Sequence, residues 1–363
     1  MLKHNNAYLV GYYGMHNSGD DALMCSAHWG ARTHLDCQNI LTTSASATQI
    51  DRNTQIPAFP KAKFRGHERI LHYRNALQSE KIIFGGGSVI HSEKDINFKR
   101  HLVKLAGGEK SRCVGVGIED FTSSNAEKAC AKLLNSCGFV GVRDEKSFDV
   151  ATSLAPNANI HLTFDLAPTM LKHGVWDVQP MVRRGIMMNL CQLPIDAFGS
   201  VDKKKESQRI QTAIEIIIKC WESLHEPIFL LDFNGHPIHG DFHVHERILN
   251  GLPEHIDITH IPYDPDPYRV LQRIAGFKAV VAMRLHAAIM SFMAGTPCLP
   301  INYHKKCVGW CNQIGIPEEH RFDANELDAE AMHQQLTYGV GIGFAKPSMS
   351  VDNAIDAALR NWS

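Results

Sequence analysis

The chain has 363 residues, of which 44% are hydrophobic and 21% charged, and its formal net charge is -1 at pH 7. This composition is typical of a globular protein of about two domains, and it excludes collagen, a coiled coil and a disordered chain. Because 37 basic residues balance 38 acidic ones, the chain lacks the general positive field that attracts nucleic acid. We therefore expect no nucleic-acid partner, and any cationic site must be local.

The apolar runs of the sequence are short. The longest, such as 228–231 and 279–283, fall far below the ~20 residues that span a bilayer. The first residues, MLKHNNAYLVGYYG, lack the apolar region of a signal peptide. The sequence thus predicts a cytoplasmic protein without a transmembrane segment, and it leaves peripheral contact with the inner face of the membrane open.

The chain contains ten cysteines, and none of them forms a CxxC pair. This spacing argues against a structural zinc site, and a chain of this size without a signal peptide is not expected to depend on disulfides. We predict that the cysteines are reduced residues of the core.

In the first half of the chain, short apolar strands alternate with helix signals, which is typical of parallel α/β units. The predicted strands lie at 7–10, 81–84, 113–116 and 139–142. The second of them is expected to stop at the glycines 85–87. Ser18 and Asp21 have the capping-box spacing of a helix start. Ser124 and Glu127 have the same spacing and predict a second helix start.

In the second half, the periodicity lapses over 165–185, and we place the domain boundary there. Strands are predicted again at 186–190, 228–232, 279–283 and 298–301. Helices are predicted over 210–224, 285–294 and 352–362. The expected domains are an N-terminal α/β domain at 1–170, a C-terminal α/β domain at 171–345 and a C-terminal helix at 346–363. The fold class is α/β, with two Rossmann-like βα domains that face a cleft between the carboxyl ends of their strands.

A cluster of cations follows two of the predicted strands in the second half. The strand at 279–283 leads to Arg284 and His286 at the start of a helix, and the next strand leads to 303–306 at the same edge. A helix N-terminus favours an anion, arginine offers a planar fork for phosphate or carboxylate, and histidine exchanges a proton near neutral pH. The alternative is structural, with Arg284 paired to a core carboxylate and His286 capping the helix.

Glycine-rich turns mark the first half, at 11–19, at 85–87 and at Gly115 and Gly117. Glycine permits a ligand to approach the backbone closely, but it also serves tight turns. The sequence has no GxGxxG and no GxxxxGK[ST] motif. A dinucleotide-binding fold and a P-loop are therefore disfavoured.

The segment 236–245 reads HPIHGDFHVH and contains four histidines. Alternating histidines on a strand would share one face and could bind a metal. Pro237 and Gly240 instead indicate a loop. We expect a structural or surface role for this segment and no metal site.

The order of three motifs resembles the polysaccharide pyruvyl transferase family. The first is GYYGMHNSGDDAL at 11–23, and the second combines GGGS at 85–88 with VRDEKS at 142–147. The third and most characteristic is RLHAAIMSFMAGTPCLPINYHKKCVG at 284–309. The resemblance covers about residues 7–320 in the right order.

The resemblance implies an enzyme that transfers pyruvate from phosphoenolpyruvate to two hydroxyls of a sugar as a ketal, in the biosynthesis of cell-surface polysaccharides. It also implies a fold similar to the GT-B glycosyltransferases and no cofactor. Donor binding is expected from Arg143, Arg284, the backbone of Leu285, His286 and Lys306. The expected general acid is His286, and Lys306 would neutralise the departing phosphate or is only a surface lysine.

The acceptor is expected against the N-terminal domain, where Asn17, Asp20, Asp21 and Ser88 present polar groups. Asp20 would orient or deprotonate a sugar hydroxyl, and its alternative role is a helix N-cap. Asp165 is expected to be structural. A lipid-linked, a nucleotide-linked and a polymeric saccharide all remain open as the acceptor.

Two other functions fit parts of this pattern. The same two-domain architecture would support a glycosyltransferase that uses a nucleotide sugar, although the sequence shows no DxD-like motif for a metal diphosphate. A non-catalytic carbohydrate-binding relative would keep the fold, but the presence of Arg143, Arg284, His286 and Lys306 argues against a decayed site.

Overall fold

The computed structural model describes residues 4–50, 54–90, 92–174, 182–193 and 202–363. The chain forms two compact units. The N-terminal unit comprises 1–15, 20–176 and 352–363, and the C-terminal unit comprises 16–19 and 177–351. The domain boundaries expected at 170 and 345 stay predictions, as do the acceptor and donor roles of the two domains.

Strands and helices alternate through both units. The strands are β1 Ala7–Tyr13, β2 Ile40–Ser44, β3 Thr48–Gln49, β4 Gln55–Ile56, β5 Ile82–Ile90, β6 Arg112–Ile118, β7 Phe139–Val142, β8 Ile160–Leu162, β9 Ile186–Asn189, β10 Ile228–Leu231, β11 Ile258–Ile261, β12 Ala279–Ala282, β13 Cys298–Asn302 and β14 Phe322–Asp323. The helices are α1 Ser18–His34, α2 His67–Leu77, α3 Glu93–Ala106, α4 Ser124–Leu134, α5 Glu145–Leu154, α6 Lys203–Leu224, α7 Phe242–Gly251, α8 Pro267–Ala275, α9 Leu285–Met293, α10 Lys305–Ile314, α11 Ala329–Ile342 and α12 Val351–Leu359.

Each unit is built on a parallel sheet of six strands. The order is β2-β1-β5-β6-β7-β8 in the N-terminal unit and β11-β10-β9-β12-β13-β14 in the C-terminal unit. All residues of β7, β9 and β12 are buried, as expected for strands of a parallel sheet covered on both faces. The predicted α/β fold with parallel sheets is confirmed.

The ends predicted from sequence for the strands β1, β5 and β6 lie too early in the chain, and the largest difference is at β5. Instead of stopping at the glycines, β5 continues through Gly85, Gly86 and Gly87 to Ile90. Gly86 and Gly87 have positive φ angles of 74° and 79°, which glycine adopts without steric cost. The side chain of Leu23 packs against Gly86, where a Cβ atom would lie 2.8 Å from Leu23 Cδ2. The glycines therefore let a helix residue approach the strand rather than end it.

Both predicted helix starts are shifted. The N-cap of α4 is Ser123, not Ser124, and its hydroxyl accepts a hydrogen bond from Ala126 N at 3.2 Å. At the start of α1, Asn17 Oδ1 accepts from Gly19 N at 3.0 Å. Among the described residues, Ser18 Oγ makes no hydrogen bond, so Ser18 and Asp21 do not form the reciprocal bonds of a capping box; Asp21 Oδ1 accepts from Gly14 N at 3.0 Å and so fixes the preceding turn.

The C-terminal residues pack in the N-terminal unit. Asn361 is fully buried, and its Oδ1 accepts from Gly115 N at 2.6 Å and from Thr163 Oγ1 at 2.9 Å. Trp362 lies against Gly30, where a Cβ atom would lie only 2.0 Å from the indole. These contacts fix the end of the chain on β6 and α1.

All ten cysteines lie in the part of the chain that the structure describes, and none forms a disulfide. Burial raises the pKa of the Cys130, Cys191 and Cys220 thiols to about 12, so these thiols are protonated and unreactive at neutral pH. Nine of the ten cysteines are buried and Cys298 is half-buried, so the predicted core position is confirmed for nine of them. Among the described residues, no helix has the length and apolar character that a bilayer span requires.

Candidate functional site

The strand order of the C-terminal unit marks one place for a site. The chain runs outward from β9 through β10 to β11 and then returns to β12 on the other side of β9. Ligands of open α/β sheets bind beyond the carboxyl ends of the strands at such a switch point. Asn189 ends β9 and Arg284 follows β12, and Asn189 Oδ1 accepts from Arg284 N at 3.0 Å.

Arg284 is paired with a buried carboxylate. Its Nε and Nη2 atoms both donate to Asp241 Oδ1, at 2.7 and 2.6 Å, and Nη2 also donates to His239 O at 3.4 Å. Burial lowers the pKa of the guanidinium, but the charge of Asp241 raises it above its usual value. Arg284 therefore stays charged. Within the described part of the chain, its Nη1 atom makes no hydrogen bond.

This pairing confirms one half of the structural alternative for the RLH segment, since Arg284 does pair with a core carboxylate. The other half is wrong, because Arg284 itself occupies the N-cap position of α9 and His286 lies inside the first turn. The carbonyl of Arg284 accepts from Ala287 N and Ala288 N at 3.0 and 3.2 Å. The amides of Leu285 and His286 precede these bonds and have no acceptor in their own helix.

The first sequence motif reaches the same part of the C-terminal unit. In this unit, Ser18 N donates to Phe233 O at 2.9 Å, and Gly235 N donates to His16 O at 2.8 Å. Gly19 then packs against the imidazole of His286, where a Cβ atom would lie 2.4 Å from both Cγ and Nδ1. The structure therefore places the turn of residues 17–19 beside His286, the predicted general acid. This turn contains Asn17, which is one of the predicted acceptor contacts.

The segment after β13 supplies further polar groups. His304 is the N-cap of α10, and its Nδ1 accepts from Lys306 N at 3.3 Å. Burial raises the pKa of the Tyr303 phenol well above its usual value, so Tyr303 is a neutral hydroxyl. Lys306 is half-buried, and its role toward a phosphate stays a prediction.

Arg143 lies in the N-terminal unit, where it is 7% exposed. Its Nη1 donates to Asp165 Oδ2 at 3.3 Å, and its Nη2 donates to Ser88 Oγ at 3.1 Å. Its Nε also forms an ion pair with Asp144 at 3.5 Å. The structure thus brings together Arg143, Ser88 and Asp165. Arg143 and Arg284 belong to different units, so a donor cradle that uses both stays a prediction.

The two aspartates of the first motif differ in their surroundings. Asp21 is fully buried and holds the amide of Gly14. Asp20 is half-buried in the first turn of α1. Because α1 begins at Ser18 and Asn17 bonds its first turn, the alternative role of Asp20 as an N-cap is wrong. Acceptor binding by Asp20 and Asp21 stays a prediction.

The histidine-rich segment divides into a loop and a helix. The rings of His236 and His239 stack at 5.3 Å in the loop, as expected. His243 and His245 instead lie on α7, so the loop prediction is wrong for them. His243 Nε2 forms a hydrogen bond with Pro237 O at 2.8 Å. This imidazole therefore has a partner other than the stacked rings of His236 and His239.

A second group of possible metal ligands lies nearby in the sequence. One ligand atom each from Asp232, His245 and His260 lies within 4.8 Å of the others. Leu190 N donates to His245 Nε2 at 3.1 Å, so the proton of this imidazole must be on Nδ1, which contacts Asp232 Oδ1 at 2.6 Å. A metal on Nδ1 would shift the proton to Nε2 and set it against the Leu190 amide. The hydrogen bonds therefore favour an Asp-His network over a metal site.

We expect chelators to leave activity largely intact. Cationic side chains are expected to bind the donor phosphate without a metal, and the imidazole of His245 has both nitrogens in hydrogen bonds. The measurement is pyruvyl transfer before and after dialysis against EDTA, with the metal content determined in parallel. Loss of a stoichiometric metal together with activity, and recovery of both on adding the metal back, would contradict this prediction.

Comparison with solved structures defines the fold class. UDP-GlcNAc 2-epimerase from Methanocaldococcus jannaschii has a TM-score of 0.63 at 10% identity, covering 98% of this chain and 97% of the other. HepE from Anabaena, solved with UDP-glucose, has a TM-score of 0.58 at 10% identity, covering 99% and 96%. Trehalose-6-phosphate synthase OtsA has a TM-score of 0.56 at 9% identity, covering 98% and 96%. At these identities the likeness shows the fold, and the predicted similarity to GT-B enzymes is confirmed.

The sequence places the chain within one family of that fold class. The family model for polysaccharide pyruvyl transferase matches residues 17–305, so the chain belongs to this family. Membership implies a transferase and supports a role in polysaccharide biosynthesis. A curated relative, the amylovoran biosynthesis protein AmsJ of Erwinia amylovora, is 44% identical over 45 residues, which are 12% of this chain and 11% of AmsJ.

Proposed function

We propose that this protein transfers pyruvate from phosphoenolpyruvate to two hydroxyls of a saccharide and forms a cyclic ketal. The reaction is expected in the cytoplasm. The family match over residues 17–305 supports this proposal. The observation that carries it is local: the turn of the first motif and the RLH segment of the third meet at Gly19 and His286. The chain therefore brings the two motifs to one position in the C-terminal unit.

The chemistry requires two proton movements. The enol carbon of phosphoenolpyruvate gains a proton while one sugar hydroxyl attacks the adjacent carbon. Phosphate then leaves and the second hydroxyl closes the ring, so that one hydroxyl proton replaces the proton delivered to carbon and the other leaves with phosphate. His286, half-buried in the first turn of α9, is the proposed general acid, because an imidazole can exchange a proton near neutral pH.

The donor carries a carboxylate and a phosphate, which need cationic or N–H partners. Arg284 contributes a guanidinium that its contacts keep charged, and the first amides of α9 add N–H donors at the positive end of the helix. We propose that Leu285 supplies one of these amides. Arg143 and Lys306 are the proposed additional anchors, and Lys306 would neutralise the departing phosphate.

The acceptor is proposed to be a lipid-linked, nucleotide-linked or polymeric saccharide. Asn17, Asp20, Asp21 and Ser88 are the proposed contacts. Asn17 and Asp20 are half-buried at the start of α1, so they can offer an amide and a carboxylate to sugar hydroxyls. Asp20 is the proposed group that orients the attacking hydroxyl.

We expect phosphoenolpyruvate to bind without acceptor and without nucleotide, because the proposed anchors recognise only the carboxylate and the phosphate. Calorimetry on the full chain measures the affinity, with UDP-glucose and phosphate-free pyruvate as parallel titrants. Incubation with phosphoenolpyruvate and a panel of saccharides, followed by mass detection of the added pyruvyl group, then tests transfer. Binding of UDP-glucose without binding of phosphoenolpyruvate would replace this proposal by a glycosyltransferase.

A further inference from the structure

Asp241 is a carboxylate with an unusual number of partners. It is 0% exposed, and its Oδ1 accepts from Nε and Nη2 of Arg284 at 2.7 and 2.6 Å. Its Oδ2 accepts from Asn189 Nδ2 at 2.9 Å and from the amides of Phe233 and Asn234 at 2.9 and 3.1 Å. One side chain thus joins the last residue of β9 to the segments that follow β10 and β12, at the switch point of the sheet.

The two carboxylate oxygens of Asp241 have different kinds of hydrogen-bond partner. Oδ2 receives only neutral N–H groups, from one side chain and two backbone amides. Oδ1 receives two N–H groups of one guanidinium, which prevents rotation of the Arg284 head group. The Arg284 side chain remains 20% exposed while its partner is enclosed. The fixed edge is therefore buried, and Nη1 belongs to the edge that Asp241 does not hold.

We infer that Asp241 is a positioning residue, which fixes the Arg284 guanidinium so that its Nη1 edge is preorganised for an anionic group of the donor. This inference rests on the proposed function for the identity of the anion. A binding group that is oriented in advance binds its ligand at a lower entropic cost. Binding sites commonly orient a charged side chain through a hydrogen bond to a buried residue behind it. Asp241 would not touch the donor.

Arginine NMR tests the fixed orientation without any donor. In the unaltered protein labelled with ¹⁵N-arginine, we expect the Arg284 Nε–H signal to show an immobilised guanidinium. Asp241→Asn should mobilise it, because an amide cannot accept hydrogen bonds on both sides. Asp232→Asn is the matched control, since Asp232 is also a buried carboxylate after β10 but contacts His245 and His260. A rigid Arg284 in Asp241→Asn would overturn the inference.

The affinity for phosphoenolpyruvate tests whether the fixed orientation of Arg284 strengthens donor binding. We expect Asp241→Asn to weaken phosphoenolpyruvate binding about 10-fold or more, whereas Asp232→Asn should leave it near the parental value. Asp241→Glu, which keeps the charge, should restore part of the loss. Adding Asp241→Asn to Arg284→Lys should weaken binding little further, because lysine has already removed the planar fork.

The results of these experiments distinguish a failure of this inference from a failure of the proposed function. If the unaltered protein does not bind phosphoenolpyruvate, the proposed function fails, and the NMR comparison still decides whether Asp241 fixes Arg284. If the unaltered protein binds but the losses of Asp241→Asn and Arg284→Lys are additive, Asp241 does not act through Arg284 and the inference is overturned. Equal losses in Asp241→Asn and Asp232→Asn would also overturn it, because they would indicate a general loss of stability.

Discussion

His286→Gln is expected to lower the single-turnover rate of pyruvyl transfer by ~10²-fold or more, the usual range for the loss of a general acid. Glutamine retains hydrogen bonding to a ligand but cannot deliver a proton at neutral pH. Affinity for phosphoenolpyruvate should change much less than the rate, since the proton is needed in the transition state and not for binding. A rate that falls with nearly unchanged affinity distinguishes chemistry from anchoring.

The measurement combines rapid-quench single turnovers, donor calorimetry and thermal unfolding for each variant. His243→Gln is the matched control, because His243 is an exposed histidine on α7 and, within the described part of the chain, its ring hydrogen-bonds a nearby carbonyl, Pro237 O. We expect this control to keep the parental rate. If His286→Gln transfers pyruvate at the parental rate, His286 is not the acid, and His304 or Lys306 must be tested. Parallel losses of stability, affinity and rate would instead indicate that His286 only supports the start of α9.

The sequence predicted the framework well because the strands of a parallel sheet are apolar on both faces. β12 and β9 are buried at every position. β12 is apolar throughout and β9 is apolar up to its last residue, Asn189, so the polar residues at or after the strand ends mark the carboxyl edge. The predictions from sequence failed where one residue type is compatible with two different backbone structures. Gly86 and Gly87 could end a strand or extend one with positive φ angles, and the sequence does not show the packing of Leu23 against Gly86 that accompanies the extension.

The sequence predicted the half-buried groups of the candidate site, but not the buried residue that supports one of them. Arg284 and His286 stand out because they follow an apolar strand and precede a helix. Asp241 does not, since its partner lies 43 residues away in sequence, and neighbouring histidines directed attention to a metal. In the sequence, a carboxylate directly before a helix indicates an N-cap; in the structure Asp241 occupies that position before α7, but its side chain makes no capping hydrogen bond. A carboxylate in that position needs a charged partner if it is buried.

Gly19→Ala is expected to disturb the site although alanine normally stabilises a helix. The added Cβ would lie 2.4 Å from Cγ and Nδ1 of His286 and 2.6 Å from its Cβ, distances at which one of the two must move. Because the contact includes the root of the side chain, a change of rotamer alone cannot relieve it. Overpacking of this kind costs about 1–3 kcal/mol of stability. A shift of His286, the proposed general acid, by about 1 Å can lower turnover ~10²-fold.

Gly309→Ala is the matched control for this change. Gly309 lies on α10 in the same unit, and a Cβ there would meet nothing within 4 Å. Alanine should leave the rate unchanged and stabilise this helix by up to ~1 kcal/mol, as it does at unstrained sites. The two substitutions are chemically identical, so opposite signs in thermal unfolding isolate the contact with His286. If Gly19→Ala behaves like Gly309→Ala in both rate and stability, the turn of the first motif does not position the imidazole, and the meeting of the two motifs has no part in the chemistry.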